Sequence, residues 1–388
     1  MTPLQVLENL LAMGGTPLFL PSDEESLSVD KVLKGKIVVS TFHQAKGLEK
    51  KVVFLLGFDE NYFKLAKSES PFECPNALYV AVTRCCSRLY LMAEDCDSGE
   101  NPLPFLNREL VDSLDKPDFL EVVHSDPRRG RINGNSLSTT DKSMQAQLHE
   151  SLKILPVTGL TSYVFIKVLK KAMDIINFDL IDPPGLRKIR LKKITRGRSN
   201  LEEDVASLNG LAVPAMLQAS STNSGVCTMY SKLADECAGG RVHEVFSSRF
   251  KRLLPPNSGN DISYYLELAA LYQAVASFSL RRGYLSPLLQ LRNFDWITLP
   301  QVRRCLKVLQ NAIRDYASAE YEFEIEASYE FEDGTRKSIA GIIDILTPTA
   351  VYEVKCVNQL REENFLQLAV YSWIWNKHLV EIHAQTIS

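Results

Sequence analysis

Two neighbouring apolar segments near the end of the sequence each carry residue types that can hold a divalent cation. Asp344 ends one segment, and Glu353 and Lys355 lie in the next, after the turn-forming sequence Thr347-Pro-Thr. On adjacent strands, Asp344 and Glu353 would converge on one cation, and carboxylate oxygens suit Mg²⁺ or Mn²⁺. Glu353 and Lys355 share a strand face because side chains alternate along a strand. The pattern predicts a metal site beside a lysine that positions water for attack on a phosphodiester.

A third segment extends this pattern onto a helix. Gln367 and Tyr371 are four residues apart, hence on one helix face that can look back at the predicted metal site. Glu-x-Lys alone is more often a pair of solvated charges, but the three segments occur in order on strand, strand and helix. Together they resemble the D…ExK…QxxxY signature of RecB-type PD-(D/E)XK nucleases. The resemblance implies a catalytic set of Asp344, Glu353, Lys355, Gln367 and Tyr371, with Asp344 and Glu353 as metal ligands.

Two further elements bear on this resemblance. Gly239 to His243 fits the GxxxH element of these nucleases, which implies that His243 lies near the metal, although a lone histidine at a helix start is often structural. Glu324 and Glu326 share a strand face and could add a carboxylate, but their alternating pattern favours the wet face of an edge strand. Some relatives bind an iron–sulfur cluster through cysteines after QxxxY. No cysteine follows Tyr371, so no iron–sulfur cluster is expected.

A second constellation lies in the first quarter of the sequence. Residues 40–49 read Ser-Thr-Phe-His-Gln-Ala-Lys-Gly-Leu-Glu between two β-rich runs, and residues 79–84 read Tyr-Val-Ala-Val-Thr-Arg. These resemble motifs V and VI of superfamily 1 helicases of the UvrD/Rep/RecB type. The resemblance assigns Thr41 and His43 to the DNA backbone, and Lys46, Gly47 and Glu49 to the nucleotide. It makes Arg84 an arginine finger, for which a planar, always charged guanidinium is suited.

The departures from the helicase pattern limit what this chain can do alone. Cys85 and Cys86 replace the usual Ala-Lys after the motif VI arginine, and no GxxxxGK[ST] occurs anywhere. A P-loop is needed to cradle phosphates and hold Mg²⁺. We therefore expect ATP to be used only if a separate chain or a missing N-terminal region supplies the P-loop ATPase domain.

A basic run separates the two constellations. Residues 187–198 contain seven Lys or Arg and no acidic residue. Such density could neutralise several phosphates, so DNA is the expected partner; a solvated loop or a localisation signal is the alternative. The residues proposed to contact DNA here are Arg187, Lys188, Arg190, Lys192 and Lys193.

The chain is predicted to be α/β with four parts. The first part is a partial RecA-like motor domain with a parallel sheet, and the second is a flexible linker. The third is a basic, mainly helical connector, and the fourth is a PD-(D/E)XK nuclease core with a mixed sheet. Apolar runs at 36–40 and 51–56 suggest strands buried on both faces of the parallel sheet. The predicted boundaries are 1–95 for the motor domain, 96–150 for a flexible linker, 151–320 for the connector and 321–388 for the nuclease core.

Composition limits the class of protein and its compartment, and it leaves two functions open. The sequence is 45% hydrophobic and 23% charged, and its apolar runs fall short of the ~20 residues of a membrane span. Eight cysteines without a CxxC pair favour an intracellular, reducing compartment. One hypothesis is a Mg²⁺-dependent DNA nuclease module fused to an incomplete helicase motor. The other is a non-catalytic DNA-binding or partner-binding remnant.

Overall fold

The computed structural model describes residues 10–19, 30–40, 48–59, 72–92, 105, 154–162, 166–176, 189–222, 225–240, 242, 244–253, 261–280, 285–313, 315–330, 334, 336–357 and 359–387. The chain is α/β and divides into two compact units. One contains the described residues up to Val39 together with those from 154 onward. The other contains the described residues from Ser40 to Phe105. The predicted linker, 96–150, lies outside the described residues apart from Phe105.

The N-terminal residues belong to the larger unit. A helical turn at 10–13 ends at Gly15, whose φ of 76° suits glycine. Strand β1 (Leu18–Phe19), helix α1 (Asp30–Leu33) and strand β2 (Ile37–Val38) follow, and β1 pairs with β2 in parallel. Leu18 is fully buried in a core built mainly from residues after 200. The described part of 1–95 therefore contributes to both units.

The smaller unit contains a two-stranded parallel sheet. Strand β3 (Lys50–Leu56), which the apolar run at 51–56 predicted, pairs with β4 (Cys85–Met92), and helix α2 (Asn76–Val82) lies between them in sequence. Helix α2 covers one face, where Leu55 meets Leu78 and Ala81. On the other face Phe54 stacks on Tyr90 and is 62% exposed. The expectation of strands buried on both faces was wrong here, because the described residues supply a covering helix on one side only.

The connector begins with elements that join the C-terminal sheet. Strand β5 (Ile154–Pro156) leads into helices α3 (Val157–Ser162) and α4 (Ile166–Ile175). Val168 and Ile175 of α4 are exposed. Leu169 is buried instead, because α4 turns that face toward the last helix of the chain.

The remainder of the connector is a helical core with one small hairpin. Val205, Leu208, Leu266 and Leu271 are buried at its centre. The capping box of Thr298 and Gln301 starts the last connector helix. The elements are β6 (Ile194–Arg196), β7 (Glu202–Asp204), α5 (Ala206–Ser221), α6 (Thr228–Ala238), α7 (Glu244–Arg252), α8 (Ile262–Leu280), α9 (Leu285–Gln290) and α10 (Leu299–Ala312).

A mixed four-stranded sheet and a long helix complete the larger unit. Strand β9 is central: β8 and β10 pair with it antiparallel, and β5 pairs with it in parallel. The connection between β8 and β9 includes Gly334, whose φ is 77°. The bounds are β8 (Glu320–Glu330), β9 (Arg336–Thr347), β10 (Ala350–Tyr352) and α11 (Glu362–Ile387). Because β5 belongs to this sheet, the C-terminal core recruits residues that sequence assigned to the connector.

The sheet packs against two layers. Ile325 and Ile343 contact Val157 of α3 and Ile374 of α11, whereas Ile345 contacts Leu217 of α5. Among the described residues, no helix has the length and apolar character needed to cross a membrane. The candidate site lies where β9 and β10 meet α11.

Candidate functional site

The turn between β9 and β10 places Asp344 beside the Glu-x-Lys segment. The Ala350 N–H donates to Thr347 Oγ1 at 3.1 Å, which closes the turn predicted at Thr347-Pro-Thr. Past the turn, the Val354 N–H donates to Asp344 Oδ2 at 2.7 Å. Strand β10 ends at Tyr352, so Glu353 follows the strand in an extended segment rather than lying within it. The backbone therefore brings the Asp344 carboxylate next to residues 353–355.

Glu353 is the best connected member of this cluster. Its Oε1 accepts a hydrogen bond from Lys355 Nζ at 2.6 Å and another from Gln367 Nε2 at 2.9 Å. Glu353 and Lys355 thus lie on one side, as the spacing predicted. Glu353 Oε2 is buried and has no hydrogen-bond partner. A buried carboxylate oxygen without a partner is costly, unless it binds a group that the chain itself does not supply.

Helix α11 adds Gln367 and Tyr371 from the opposite side. Gln367 Nε2 also lies 3.4 Å from the Tyr371 hydroxyl, and the Ile342 N–H of β9 donates to that hydroxyl. Burial raises the pKa of Tyr371 far above its ordinary value, so the phenol stays neutral. Gly341 makes room for the ring, because a Cβ at this position would lie 2.5 Å from Tyr371 Cε1. Tyr371 thus fixes Gln367, which in turn holds Glu353.

Gly341→Ala should displace Tyr371 and loosen the cluster. The added methyl would also lie 3.0 Å from Val157 Cγ2, so neither neighbour can yield cheaply. We expect overpacking to lower the free energy of unfolding by roughly 1–3 kcal/mol, measured by urea denaturation. Gly210→Ala is the matched control: its methyl has ordinary contacts in a helix, and alanine should stabilise by up to about 1 kcal/mol. Equal stability of Gly341→Ala and the wild type would contradict this packing.

Sequence reasoning missed a third carboxylate, Glu322. The register of β8 on β9 pairs Tyr321 with Ile345 and Phe323 with Ile343, which sets Glu322 opposite Asp344. Glu322 has a φ of 50°, a left-handed conformation that costs a non-glycine residue about 1–3 kcal/mol. Burial raises its pKa to about 7. The alternating glutamates of this strand did not indicate which one the connector helices cover.

Glu324 and Glu326, the two glutamates that the sequence did single out, are both exposed, as their assignment to the wet face of the strand expected. The Glu324 side chain is 71% exposed and pairs with Lys232. His243, the predicted upstream histidine, lies outside the described residues.

Burial and mutual repulsion oppose ionisation of the carboxylates. The pKa of Asp344 is raised well above its ordinary range by burial first, and then by the charges of Glu353 and Glu322. Burial also raises the pKa of Glu353, and the Lys355 ammonium opposes that rise. A positive charge placed between these groups would favour their ionised forms. The cluster is thus electrostatically suited to a cation.

The donor set fits Mg²⁺ or Mn²⁺, whose coordination water and substrate can complete, better than it fits a metal whose ligands all come from the protein. In the described part of the chain, no three His, Cys, Asp or Glu side chains are grouped closely enough to hold a metal ion. Mg²⁺ commonly uses one or two carboxylates and completes its shell with water and substrate phosphate oxygens. Asp344 and the unpaired Glu353 Oε2 match that requirement.

The described part of the basic run is an extended segment with two faces. Ile189 and Leu191 pack against the connector core, while the alternating residues Arg190 and Lys192 are exposed. Arg187 and Lys188 lie outside the described residues. The alternation shows that residues 189–192 are anchored rather than a free loop.

Buried polar contacts hold this segment beside the carboxylate cluster. Asn209 is fully buried, accepts a hydrogen bond from Trp296 at 2.8 Å and donates to the Lys192 carbonyl at 3.0 Å. Burial raises the pKa of the Cys356 thiol to about 11, and the charge of Lys193 opposes that rise. Gly210, the residue after Asn209, lies close to the Val354 carbonyl, so the basic segment passes near the Glu-x-Lys segment.

The helicase-like residues lie in the smaller unit. The Lys50 N–H donates to the Arg84 carbonyl at 3.0 Å, so Glu49 and Arg84 precede paired strands at the same edge of the sheet. Glu49 is exposed, and Arg84 turns back to bond the Val80 carbonyl and Thr83 Oγ1. The other residues assigned to this constellation lie outside the described residues; they are Thr41, His43, Lys46 and Gly47.

Comparison with known proteins identifies a relationship for this region. Residues 6–95 match the UvrD-like helicase C-terminal domain. The ATP-dependent DNA helicase PcrA of Leuconostoc citreum is 30% identical over 140 residues, which cover 34% of this chain and 18% of that helicase. The chain thus spans less than a fifth of the length of this relative. The match includes both helicase-like motifs, so residues 6–95 correspond to a UvrD-like helicase C-terminal part.

Proposed function

We propose that this chain is a metal-dependent DNA nuclease module joined to a UvrD-like helicase C-terminal part. The observation that carries the proposal is the convergence of Asp344, Glu353 and Lys355, with Glu353 Oε2 buried and unpaired. Similarity of residues 6–95 to a helicase domain supports action on DNA, in repair, recombination or replication. The substrate is accordingly a DNA phosphodiester.

Each group of the cluster has a distinct task in this mechanism. Asp344 and Glu353 would hold Mg²⁺ or Mn²⁺, which when bound supplies positive charge that stabilises the phosphorane-like transition state. Lys355 lies 26% exposed beside Glu353 and can donate to a phosphate oxygen as negative charge develops there. Gln367 fixes the orientation of Glu353. Glu322 adds negative charge opposite Asp344 and strengthens the field that attracts a cation.

The basic segment supplies a route for the DNA backbone. Arg190 and Lys192 project from one face of an extended chain that passes close to the Glu-x-Lys segment. Contacts of this kind bind phosphates without reading sequence. The segment would thereby guide a strand toward Asp344 and Glu353.

Neutralising the basic run should weaken DNA binding and flatten its salt dependence. Replacing Arg187, Lys188, Arg190, Lys192 and Lys193 by Gln removes positive charges that pair with phosphates. The slope of log K against log salt should change by about 0.9 for each phosphate of duplex DNA that is no longer neutralised. Fluorescence anisotropy at several salt concentrations measures this. Arg336→Gln, at a 79% exposed arginine outside the run, is the control. An unchanged slope would make the run a solvated segment.

Nucleotide use belongs to the helicase-like part and needs a partner. Glu49 and Arg84 would face a nucleotide only if a separate chain or a further region of the protein carries the P-loop domain. Arg84 would first have to leave its bonds to Val80 and Thr83. ATP is therefore proposed only for that assembled state.

The direct test is cleavage of single-stranded and duplex DNA in Mg²⁺ and in Mn²⁺. We expect cleavage in at least one metal and none after chelation. A folded chain that binds DNA and cuts nothing in either metal would favour the alternative function, a non-catalytic DNA-binding remnant.

A further inference from the structure

Glu322 holds a backbone conformation that its side chain does not favour. The other described non-glycine residues with positive φ are Asn200 and Asp315, whose short polar side chains tolerate this region. A glutamate near the start of a strand has no such local compensation. Left-handed residues of this kind persist only where the surroundings hold them, and they cluster at functional sites. Contacts around Glu322 must therefore fix its geometry.

Lys232 holds the backbone of Glu322. It lies on α6, and its Nζ donates to the Glu322 carbonyl at 2.8 Å and to Glu324 Oε1 at 2.7 Å. The ammonium therefore bridges two residues of β8 from outside the sheet. Because Lys232 bonds to the carbonyl of the left-handed residue itself, it opposes a return of this residue to ordinary strand geometry.

Tyr272 holds the side chain of Glu322. It lies on α8, is 8% exposed, and its hydroxyl donates to the Glu322 carboxylate. Two other tyrosines on α8, Tyr264 and Tyr265, have buried hydroxyls without a hydrogen-bond partner. Of these three tyrosines, Tyr272 is the one whose hydroxyl bonds Glu322.

We propose that Lys232 and Tyr272 are positioning residues, which together hold the Glu322 carboxylate toward Asp344 and Glu353. This clamp rests on the proposed nuclease function and deepens it, because two connector helices then position a carboxylate whose charge strengthens the field at the cation site. This arrangement explains the strained backbone of Glu322. Lys232 of α6 forms a hydrogen bond with its carbonyl, and Tyr272 of α8 forms one with its carboxylate. In this proposal the connector helices position a carboxylate beside the cation site.

The test is Mn²⁺ affinity, measured by calorimetry on the full chain, together with kcat and KM for DNA cleavage. Tyr272→Phe and Lys232→Met should weaken Mn²⁺ binding about 10-fold to 100-fold and lower kcat with little change in KM. Coulombic attraction alone predicts the reverse for Lys232→Met, since a positive charge is removed near the cation. A fall in affinity therefore reports impaired positioning. Lys232→Arg should recover most of the binding.

Tyr265→Phe is the matched control for Tyr272→Phe. It removes a hydroxyl from the same helix, at a tyrosine that is 1% exposed, and this hydroxyl bonds to nothing in the structure. Mn²⁺ affinity and cleavage should both equal those of the wild type.

Glu322→Asn separates function from folding. Asparagine tolerates positive φ and lacks the charge, so thermal stability should be equal or higher while Mn²⁺ affinity falls. If the wild type binds Mn²⁺ and both clamp variants bind it equally well, the clamp is overturned while the proposed function stands. A wild type that neither binds Mn²⁺ nor cuts DNA would overturn the proposed function, and the clamp with it.

Discussion

Asp344→Asn and Glu353→Gln should each abolish most DNA cleavage while leaving DNA binding largely intact. Both carboxylates would stabilise the same ion, so losing either removes several kcal/mol of charge stabilisation, which is a loss of roughly 100-fold or more in rate. Asparagine at 344 can still accept the hydrogen bond from Val354, so the fold should persist. The measurement is the cleavage rate in Mg²⁺ and Mn²⁺, with anisotropy for binding and calorimetry for the metal.

Asp261→Asn is a matched control for this substitution. Asp261 is exposed, and like Asp344 its carboxylate accepts a backbone N–H, that of Ser263, at 2.9 Å. Its replacement should leave cleavage unchanged. Cleavage that survives both Asp344→Asn and Glu353→Gln would mean that the chemistry occurs elsewhere in the chain.

Lys355→Met should give a different signature from the carboxylate variants. It removes a positive charge 2.6 Å from Glu353, so metal affinity should stay equal or rise while cleavage is abolished. Loss of both properties together would indicate that Lys355 mainly maintains the structure of the site.

Lys36→Met should be among the most destabilising single substitutions in the larger unit. Lys36 and Glu203 form a 2.7 Å ion pair in which the two side chains are 0% and 6% exposed. Breaking a buried pair typically costs about 3–5 kcal/mol, because the remaining charge loses its counter-ion. The measurement is the free energy of unfolding in urea. Arg336→Met, which breaks an exposed pair with Glu330, should cost under about 1 kcal/mol.

The loss of folding stability caused by Lys36→Met, relative to the wild type, should grow as pH rises. Burial raises the pKa of Glu203, and only the charge and hydrogen bond of Lys36 oppose that rise. Without Lys36, Glu203 is protonated in both the folded and the unfolded state when the pH is below its ordinary pKa, and the folded state then pays no charge penalty. As pH rises from that ordinary pKa to the raised pKa of the folded state, the folded state loses stability. Stability should therefore be closer to wild type near pH 5 than near pH 8. A deficit independent of pH would show that Glu203 is not the cause.

The double variant Lys36→Met with Glu203→Met tests the same pair differently. Replacing both charges by apolar side chains removes the unpaired group and should recover most of the missing stability. Gln290 provides a second tie that would remain, because its amide bonds both the N–H and the carbonyl of Leu18. A double variant no more stable than Lys36→Met would assign the deficit to packing.

Short-range features of the sequence were enough to anticipate much of the candidate site. Asp344, Glu353, Lys355, Gln367 and Tyr371 lie within one strand–turn–strand–helix segment, and strand alternation and helix spacing bring such residues together through local geometry. The strands at Ile37–Val38 and Lys50–Leu56 likewise follow from the local apolar runs at 36–40 and 51–56. Their proposed chemical roles remain predictions that the substitutions above test.

Only the tertiary structure decided which distant groups complete these local pieces. Glu322 is one of several alternating glutamates, and its register opposite Asp344 and the grip of Lys232 and Tyr272 depend on helices far away in the chain. Lys36 and Glu203 are 167 residues apart, and no local pattern links them. Secondary structure reflects interactions between near neighbours, whereas burial, pKa shifts and ion pairing depend on the environment that packing creates. The sequence by itself thus determined the elements and the reactive residues, and packing determined which of them are brought together.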